Sequence, residues 1–295
     1  MVMEKRFKLS QIILSIFMIS ITLTMLIPLL NVLAKSFSNS ALSPQMTGLE
    51  ILPRGFSLIN YQLIFNHPVL MRSFLNSVFI TVVGTAINIF LMVTAAYALT
   101  RPNLAFKKLL MGFLICMMLF DPGLVPEYLV VQKIGLMGSQ WSVILVAAVN
   151  VFYLFILMRF FSDISVSIYE AATIDGAGHI SMLTKIACPL AKPGIATITM
   201  FCAVARWNEY FKSGIYISSQ KSTVLQVILR MFVVSNETST IVGAQNLMNY
   251  NSVAMLDYEA LKCATIIVAI IPILCIYPLI LKYYAKDIVN GGVKE

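Results

Sequence analysis

Four stretches of this 295-residue chain hold no charged residue. They lie between Lys8 and Lys35, Arg72 and Arg101, Lys133 and Arg159, and Lys262 and Lys282. Each meets, or nearly meets, the roughly 20 apolar residues that a helix needs to cross the hydrocarbon of a bilayer. In that solvent every main-chain polar group must bond inside its own segment, so helices are the expected element. Two further stretches are apolar but interrupted. One begins after Lys108 and meets Asp121; the other begins after Pro193 and meets Arg206, Glu209 and Lys212. Six helices are therefore expected, at about 12–34, 73–99, 109–130, 140–159, 195–216 and 261–282. The fold class is an all-α membrane protein.

Composition supports that class. The chain is 59% hydrophobic and 12% charged, about half the charge of an ordinary soluble domain. A net charge of +8 could suggest nucleic acid, but the basic residues are spread between apolar runs and form no patch interleaved with aromatics. They read as topological signals instead. The five cysteines form no CxxC pair, and most sit in apolar runs as small core residues. His67 and His179 are far apart, which gives a metal centre little support. No GxxxxGK[ST] occurs, so the chain has no phosphate loop of its own for ATP.

The first apolar run exceeds the 7–15 residues of a signal core, and no clear small-x-small site follows it. An uncleaved anchor is expected. Lys5, Arg6 and Lys8 precede it; Arg101, Lys107 and Lys108 crowd one short connection; Arg159, Lys185 and Lys192 fall in another; Lys282, Lys286 and Lys294 mark the tail. The opposite connections spread their basic residues over longer segments. The bias puts both termini of a multi-pass chain in the cytoplasm, as an even number of crossings requires. The expected divisions are residues 1–72 (tail, first helix and outer segment), 73–284 (transmembrane core) and 285–295 (cytoplasmic tail). The outer segment near 218–258 holds "STVLQVILRMFVV", a short amphipathic piece.

One cytoplasmic connection, residues 162–194, has mixed polarity: "YEAATIDGAGHISMLTKIACPLAKPG" runs from Tyr169 to Gly194. Ser167-Ile168-Tyr169-Glu170 has the S-x-x-E form of a capping box, in which Ser167 and Glu170 satisfy each other's amides. A short helix is expected from Ile168 to about Asp175, broken by Gly176 and Gly178. A second, with Ile180, Leu183, Ile186 and Ala187 near one face, should end before Pro189. Ala171, Ala172, Gly176 and Ala177 would leave part of this knob flat enough for close approach of a partner. The alternative is a capped amphipathic loop lying on the membrane surface.

Glu170-Ala171-Ala172, Gly176 and Ile186-Ala187-Cys188-Pro189 together resemble the EAA signature of importer permeases of the ATP-binding-cassette (ABC) family, EAA-x3-G-x9-I-x-L-P. Cys188 departs from the usual Leu. Asp175-Gly176-Ala177, "ILPRGFSLINYQLIF", "AAYALTR", "GLVPEYLVVQKIGL", "ARWNEYF" and "IVNGGVKE" resemble its carbohydrate branch, in the family's order. The resemblance implies a type I importer permease fold and an oligosaccharide or complex-carbohydrate solute. It also implies a coupling role for Glu170, Ala171, Ala172, Asp175, Gly176, Gly178, Ile186 and Pro189. The implied partners are a second related permease, two cytoplasmic ATPase subunits carrying ATP and Mg, and an extracellular solute-binding protein. No cofactor is expected on this chain, and it is not expected to be an enzyme.

Asp121, Arg206 and Glu209 are ionisable groups at membrane depth, and such groups face a partner or a wet cavity. Arg206 and Glu209 are three apart and can pair on a helix. They either lock helix five to a neighbour or, with Trp207, Asn208 and Tyr210, line a sugar route. Rival functions are a permease for another solute such as a peptide or polyamine, and an ion-driven secondary transporter. A membrane enzyme would need a nucleophile–base or metal constellation that two distant histidines do not supply.

Overall fold

The computed structural model describes residues 9–234 and 257–291, with side chains over 11–234 and 257–278. The basic residues Lys5, Arg6, Lys8 and Lys294, and most of the outer segment after Val234, lie outside the described residues. Regular structure among the described residues is helical, apart from one isolated antiparallel bridge between Ser38 and Phe56. These residues fall into two compact units, those within Met1–Met71 and Met231–Ile271 and those within Arg72–Arg230 and Pro272–Glu295.

In the first unit, α1 (Leu9–Ser36) is long and apolar enough to span a membrane. Its hydroxyls do not interrupt the apolar surface. Ser15, Ser20, Thr22 and Thr24 each donate to the main-chain oxygen four residues back, at 2.8–2.9 Å. The chain then folds back on the helix end. Asn31 Nδ2 donates to the Glu50 and Thr47 oxygens at 2.7 and 3.1 Å. Glu50 in turn takes Nε and Nη2 of Arg54 at 2.8 Å each. The Arg54 guanidinium and the Thr47 amide hold the Glu50 carboxyl below its ordinary range. Phe37 stacks between Phe56 and Tyr61, at 5.6 and 4.8 Å, which seats α2 (Ile59–Asn66).

α3 (Pro68–Thr100) begins a turn earlier than expected. Proline is well placed at a helix start, and exposed Arg72 costs nothing there. The last described helix, Tyr258–Gly291, also matches its apolar run and keeps Pro272 and Pro278 inside. Two stretches expected as single helices are instead bent pairs, and a third bent pair joins the second short helix of the 162–194 connection to the span expected from about 195.

The first pair is α4 (Lys107–Leu119) and α5 (Leu124–Lys133), at 115°. Asp121 precedes Pro122, which disfavours helical backbone, and Gly123 takes φ +80°. Asp121 Oδ1 accepts from the Gly123 amide at 2.9 Å, which completes the turn. The second pair is α6 (Gln140–Val146) and α7 (Val151–Ser162), at 49°. Asn150 caps α7 by accepting from the Tyr153 amide at 3.1 Å. The third is α9 (His179–Leu190) and α10 (Lys192–Trp207), at 83°. Short helices α11 (Phe211–Tyr216) and α12 (Leu225–Val234) follow.

Two apolar cores hold the second unit. One gathers Met92, Ala96 and Tyr97 of α3, Leu154, Leu157 and Phe161 of α7, and Ile198 and Cys202 of α10. The other gathers Ile80 of α3, Val131 of α5, Val143 and Ile144 of α6, and Tyr216 of α11.

Candidate functional site

The signature residues build a helical hairpin rooted in the first of these cores. α8 (Val166–Ile174) turns Tyr169 and Ala172 inward, and α9 turns Met182 and Ala187 inward. Glu170, Ala171, Asp175, Gly176, Gly178 and Pro189 remain exposed, and Ile186 packs partly against the core. Ala172 therefore serves the hairpin's own packing, and the flat outer face is left to Ala171 and Gly176. Ile174 and Ile180 flank the bend and stand 86% and 80% exposed.

The expected capping box does not form. The helix starts two residues earlier, with Ser165 as N-cap, and the Ser165 and Ser167 hydroxyls bond each other at 2.7 Å. That leaves Ser167 inside the first turn and Glu170 free to point outward. The C-terminal end follows the expectation closely. Gly176 takes φ +77°, its amide reaches the Thr173 oxygen at 3.0 Å, and the Ala177 amide reaches the Ala172 oxygen at 2.9 Å. This is a Schellman closure, which favours glycine at the left-handed position. Gly178 is different: its backbone is extended, and it serves as N-cap to α9.

α9 does not end before Pro189. Residues Met182–Ala187 widen to a π-turn, and helix continues through Leu190. A proline ring collides with the carbonyl four residues back in α-geometry; a wider turn relieves that collision. The chain bends instead at Ala191.

The other candidates do not assemble as one lined route. Arg206 is 6% exposed, at the end of α10. It does not pair with Glu209. α10 stops at Trp207, so Glu209 leaves the helical face, and its Oε1 accepts from the Lys212 amide at 2.8 Å. Arg206 instead donates to the oxygens of Val143, Ile144 and Ala147 at 2.9, 2.8 and 2.9 Å, and to Asn88 Oδ1 at 2.7 Å. It thus closes the carbonyl end of α6. Trp207 is buried, edge-on to Phe74 at 5.9 Å. Asn208 donates to the Val204 oxygen at 3.0 Å. Tyr210 is exposed beneath the Arg230 guanidinium, 4.9 Å from its ring centre. Asp121 belongs to the α4–α5 turn.

Two arrangements were missed in the sequence. Glu127 of α5 takes Lys212 Nζ at 2.7 Å and the hydroxyl of fully buried Tyr216 at 2.5 Å. The spacing of Lys212 and Tyr216, four apart, was the available signal. Arg101 lies over two rings, 3.8 Å from the centre of Tyr169 and 4.4 Å from that of Tyr97. Tyr97 and Arg101 are again four apart, but Tyr169 is not foreseeable from local spacing.

No family model matches the chain. Among curated proteins it is 38% identical to the polygalacturonan/rhamnogalacturonan transport system permease protein YtcP of Bacillus subtilis, over 94% of this chain and 96% of that one. It is 37% identical to protein LplC of the same organism, over 91% of this chain and 89% of that one. Among solved structures, one chain of a bacterial ABC transporter involved in import of the acidic polysaccharide alginate superposes with a TM-score of 0.86. It is 27% identical and covers 96% of this chain and 99% of its own. With identity at this level over nearly the whole length, the chain belongs to the permease family of ABC transporters, on its sugar-importing branch, and is a transport component rather than an enzyme.

Proposed function

We propose that this chain is one permease subunit of an ATP-driven importer, passing oligosaccharides or complex carbohydrates across the cytoplasmic membrane by alternating access. The observation that carries this reading is the hairpin α8–α9. It is anchored in the bundle core through Tyr169, Ala172, Met182 and Ala187, and it presents Glu170, Asp175, Ile174 and Ile180 outward. An anchored peg with an exposed apolar and acidic tip suits a protein partner better than solvent.

In this reading the chain crosses six times, by α1 and then, within the transmembrane core of residues 73–284, by α3, α4–α5, α6–α7, α10 and the last helix, with both termini and the hairpin α8–α9 cytoplasmic. Glu170, Ala171, Asp175 and Gly176 meet a separate ATPase subunit; Ala172, Gly178, Ile186 and Pro189 shape the peg that carries them. Two such ATPases hold the ATP and Mg, and this chain holds no cofactor. A second, related permease completes the pathway. A binding protein delivers solute from outside; a solved alginate transporter in complex with an alginate pentasaccharide-bound periplasmic protein supports that partner. The names of YtcP and of the alginate transporter favour fragments of acidic polysaccharides as solute. Because an ATPase can drive the change only through unequal contact with the two states, the hairpin must be held differently in each.

Uptake of an oligogalacturonide into cells carrying the whole system tests the reading. Accumulation should require ATP and persist with an ionophore. Glu170→Lys should abolish it while the chain still reaches the membrane. Normal accumulation by that variant would refute the coupling role, and collapse by ionophore alone would refute the ATP-driven reading.

A further inference from the structure

We propose that the stack of Tyr97, Arg101 and Tyr169 is the joint that passes movement of the α8–α9 hairpin to α3, with Arg101 as its positioning residue; the proposal rests on the coupling role given above.

α3 ends at Thr100, and Pro102 prevents its continuation. Arg101 therefore sits at the carbonyl end of a helix, where a cation is favoured. Tyr97 lies one turn earlier on the same face. The guanidinium plane is held over both rings, within the distance at which a cation is attracted to a ring face. One ring belongs to α3 and the other to α8, the helix that carries Glu170 and Ala171. Tyr97 also meets Phe161 of α7 edge-on at 6.3 Å. Two elements thus meet on one cation, and a third packs against one of its rings.

No carboxylate pairs with Arg101 among the described residues, and its Nε, buried, has no hydrogen-bond partner there. Stacking is what fixes it to the hairpin. The far side of the joint is open: a pocket of about 570 Å³ lies between Arg101, Pro102, Leu104, His179, Ile180 and Leu183. The hairpin is therefore gripped at Tyr169 and has open space beside the first turn of α9, at His179 and Ile180. If Arg101 were only a topological charge, lysine would serve as well. A planar guanidinium stacks on rings in a way that an ammonium does not.

The test uses the purified complex with its ATPase, with the five native cysteines changed to serine. Spin labels are placed at Val166→Cys, at the end of α8 away from the bend, and Phe90→Cys on α3, both exposed positions. The parent should give one narrow distance distribution, with and without ATP and vanadate, because the two helices move together. Arg101→Lys and Tyr169→Leu should match the parent without nucleotide and at least double the width with it. Tyr169→Phe, which keeps a ring, should behave as the parent. A narrow Arg101→Lys distribution in both states would overturn the joint, as would equal broadening in both, which marks a merely structural residue. A parent that neither retains ATPase nor responds to vanadate would sink the coupling reading itself, and this joint with it.

Discussion

Arg206 closes a helix 62 residues earlier in the chain: its Nη2 stands 2.8 Å from the main-chain oxygen of Ile144. The last carbonyls of a helix have no partner inside it, and those of Val143 and Ile144 are buried. One guanidinium supplies three of them and Asn88 besides. Removing it leaves several buried acceptors unmet. Arg206→Ala should destabilise the permease by about 2–4 kcal/mol. Arg206→Lys should fall between the two, because an ammonium cannot span the same acceptors. Heat-induced loss of monodisperse protein in detergent would read this. An Arg206→Ala permease as stable as the parent would remove the brace.

Gly84 makes room for that guanidinium. A Cβ at this position would stand 2.8 Å from Arg206 Nε and 2.9 Å from its Cδ and Cζ. Nothing comparable surrounds Gly112, where a Cβ meets no atom within 4 Å. Gly84→Ala should therefore cost about 1–3 kcal/mol through overpacking. Gly112→Ala should be neutral or slightly stabilising, since alanine is the better helix former. The same thermal assay on both variants checks the contrast, and equal melting would show that Arg206 has slack.

The contrast between Gly84 and Gly112 shows where reading the sequence stops. Hydrophobic run length located α1, α3 and the final helix, because lipid imposes one length on every crossing. Gly176 announced its turn, because a glycine's backbone freedom is local; Pro122 carries a signal of the same kind, but the apolar run around it reads as one helix. The break after Val146 carries no proline or glycine. It exists because Arg206, itself held by Asn88, takes the loose carbonyls on one side while Asn150 caps the helix on the other, and Arg206 and Asn88 come from distant segments. The Arg206–Glu209 pairing failed for the same reason: spacing on a helix means nothing once the helix has ended. Pro189 misled in the opposite direction, since a π-turn let the helix pass through it.

Glu127 ties α5 to α11 through Lys212 and Tyr216. Both members of the ion pair are less than a third exposed. Glu127→Gln keeps the shape, can still accept from Tyr216, and loses the charge opposite Lys212. A loss of about 1–2 kcal/mol is expected. Lys212→Met together with Glu127→Gln should lose less than the two single changes added, because no charge is then left alone. Strict additivity in that cycle would show that the pair carries no coupling.

The Glu50–Arg54 clamp should respond to acid. Arg54 and the Thr47 amide lower the Glu50 carboxyl below its ordinary 4.5. A depressed carboxyl contributes stability above the unfolded value and loses it as pH falls through the folded one. The loop should therefore stay ordered from neutral pH to 4.5 and loosen below it. Exchange protection of the Thr47 amide, which Glu50 accepts at 3.2 Å, reports this after correction for intrinsic rates. Glu50→Gln should show the loosened state already at neutral pH. Protection in that variant equal to the parent would mean the clamp does not hold the loop.

Gly176 and Gly178 were expected to act alike, and their backbones separate them. Gly176 sits at φ +77°, where a Cβ is strained although no neighbour crowds it. Gly178 has φ −72° and ψ 164°, which any residue adopts, and it too has open space around it. Gly176→Ala should cost about 1–2 kcal/mol, and Gly178→Ala no more than about 0.5 kcal/mol. Gly176→Asn should recover part of the loss, since asparagine tolerates the left-handed region. The cost falls on the Schellman closure that sets where α8 stops, so it should appear as lost hairpin geometry as well as lost stability. Co-purification of the ATPase measures the first and thermal loss the second. A Gly178→Ala defect equal to that of Gly176→Ala in both assays would mean that the bend answers to something other than backbone handedness.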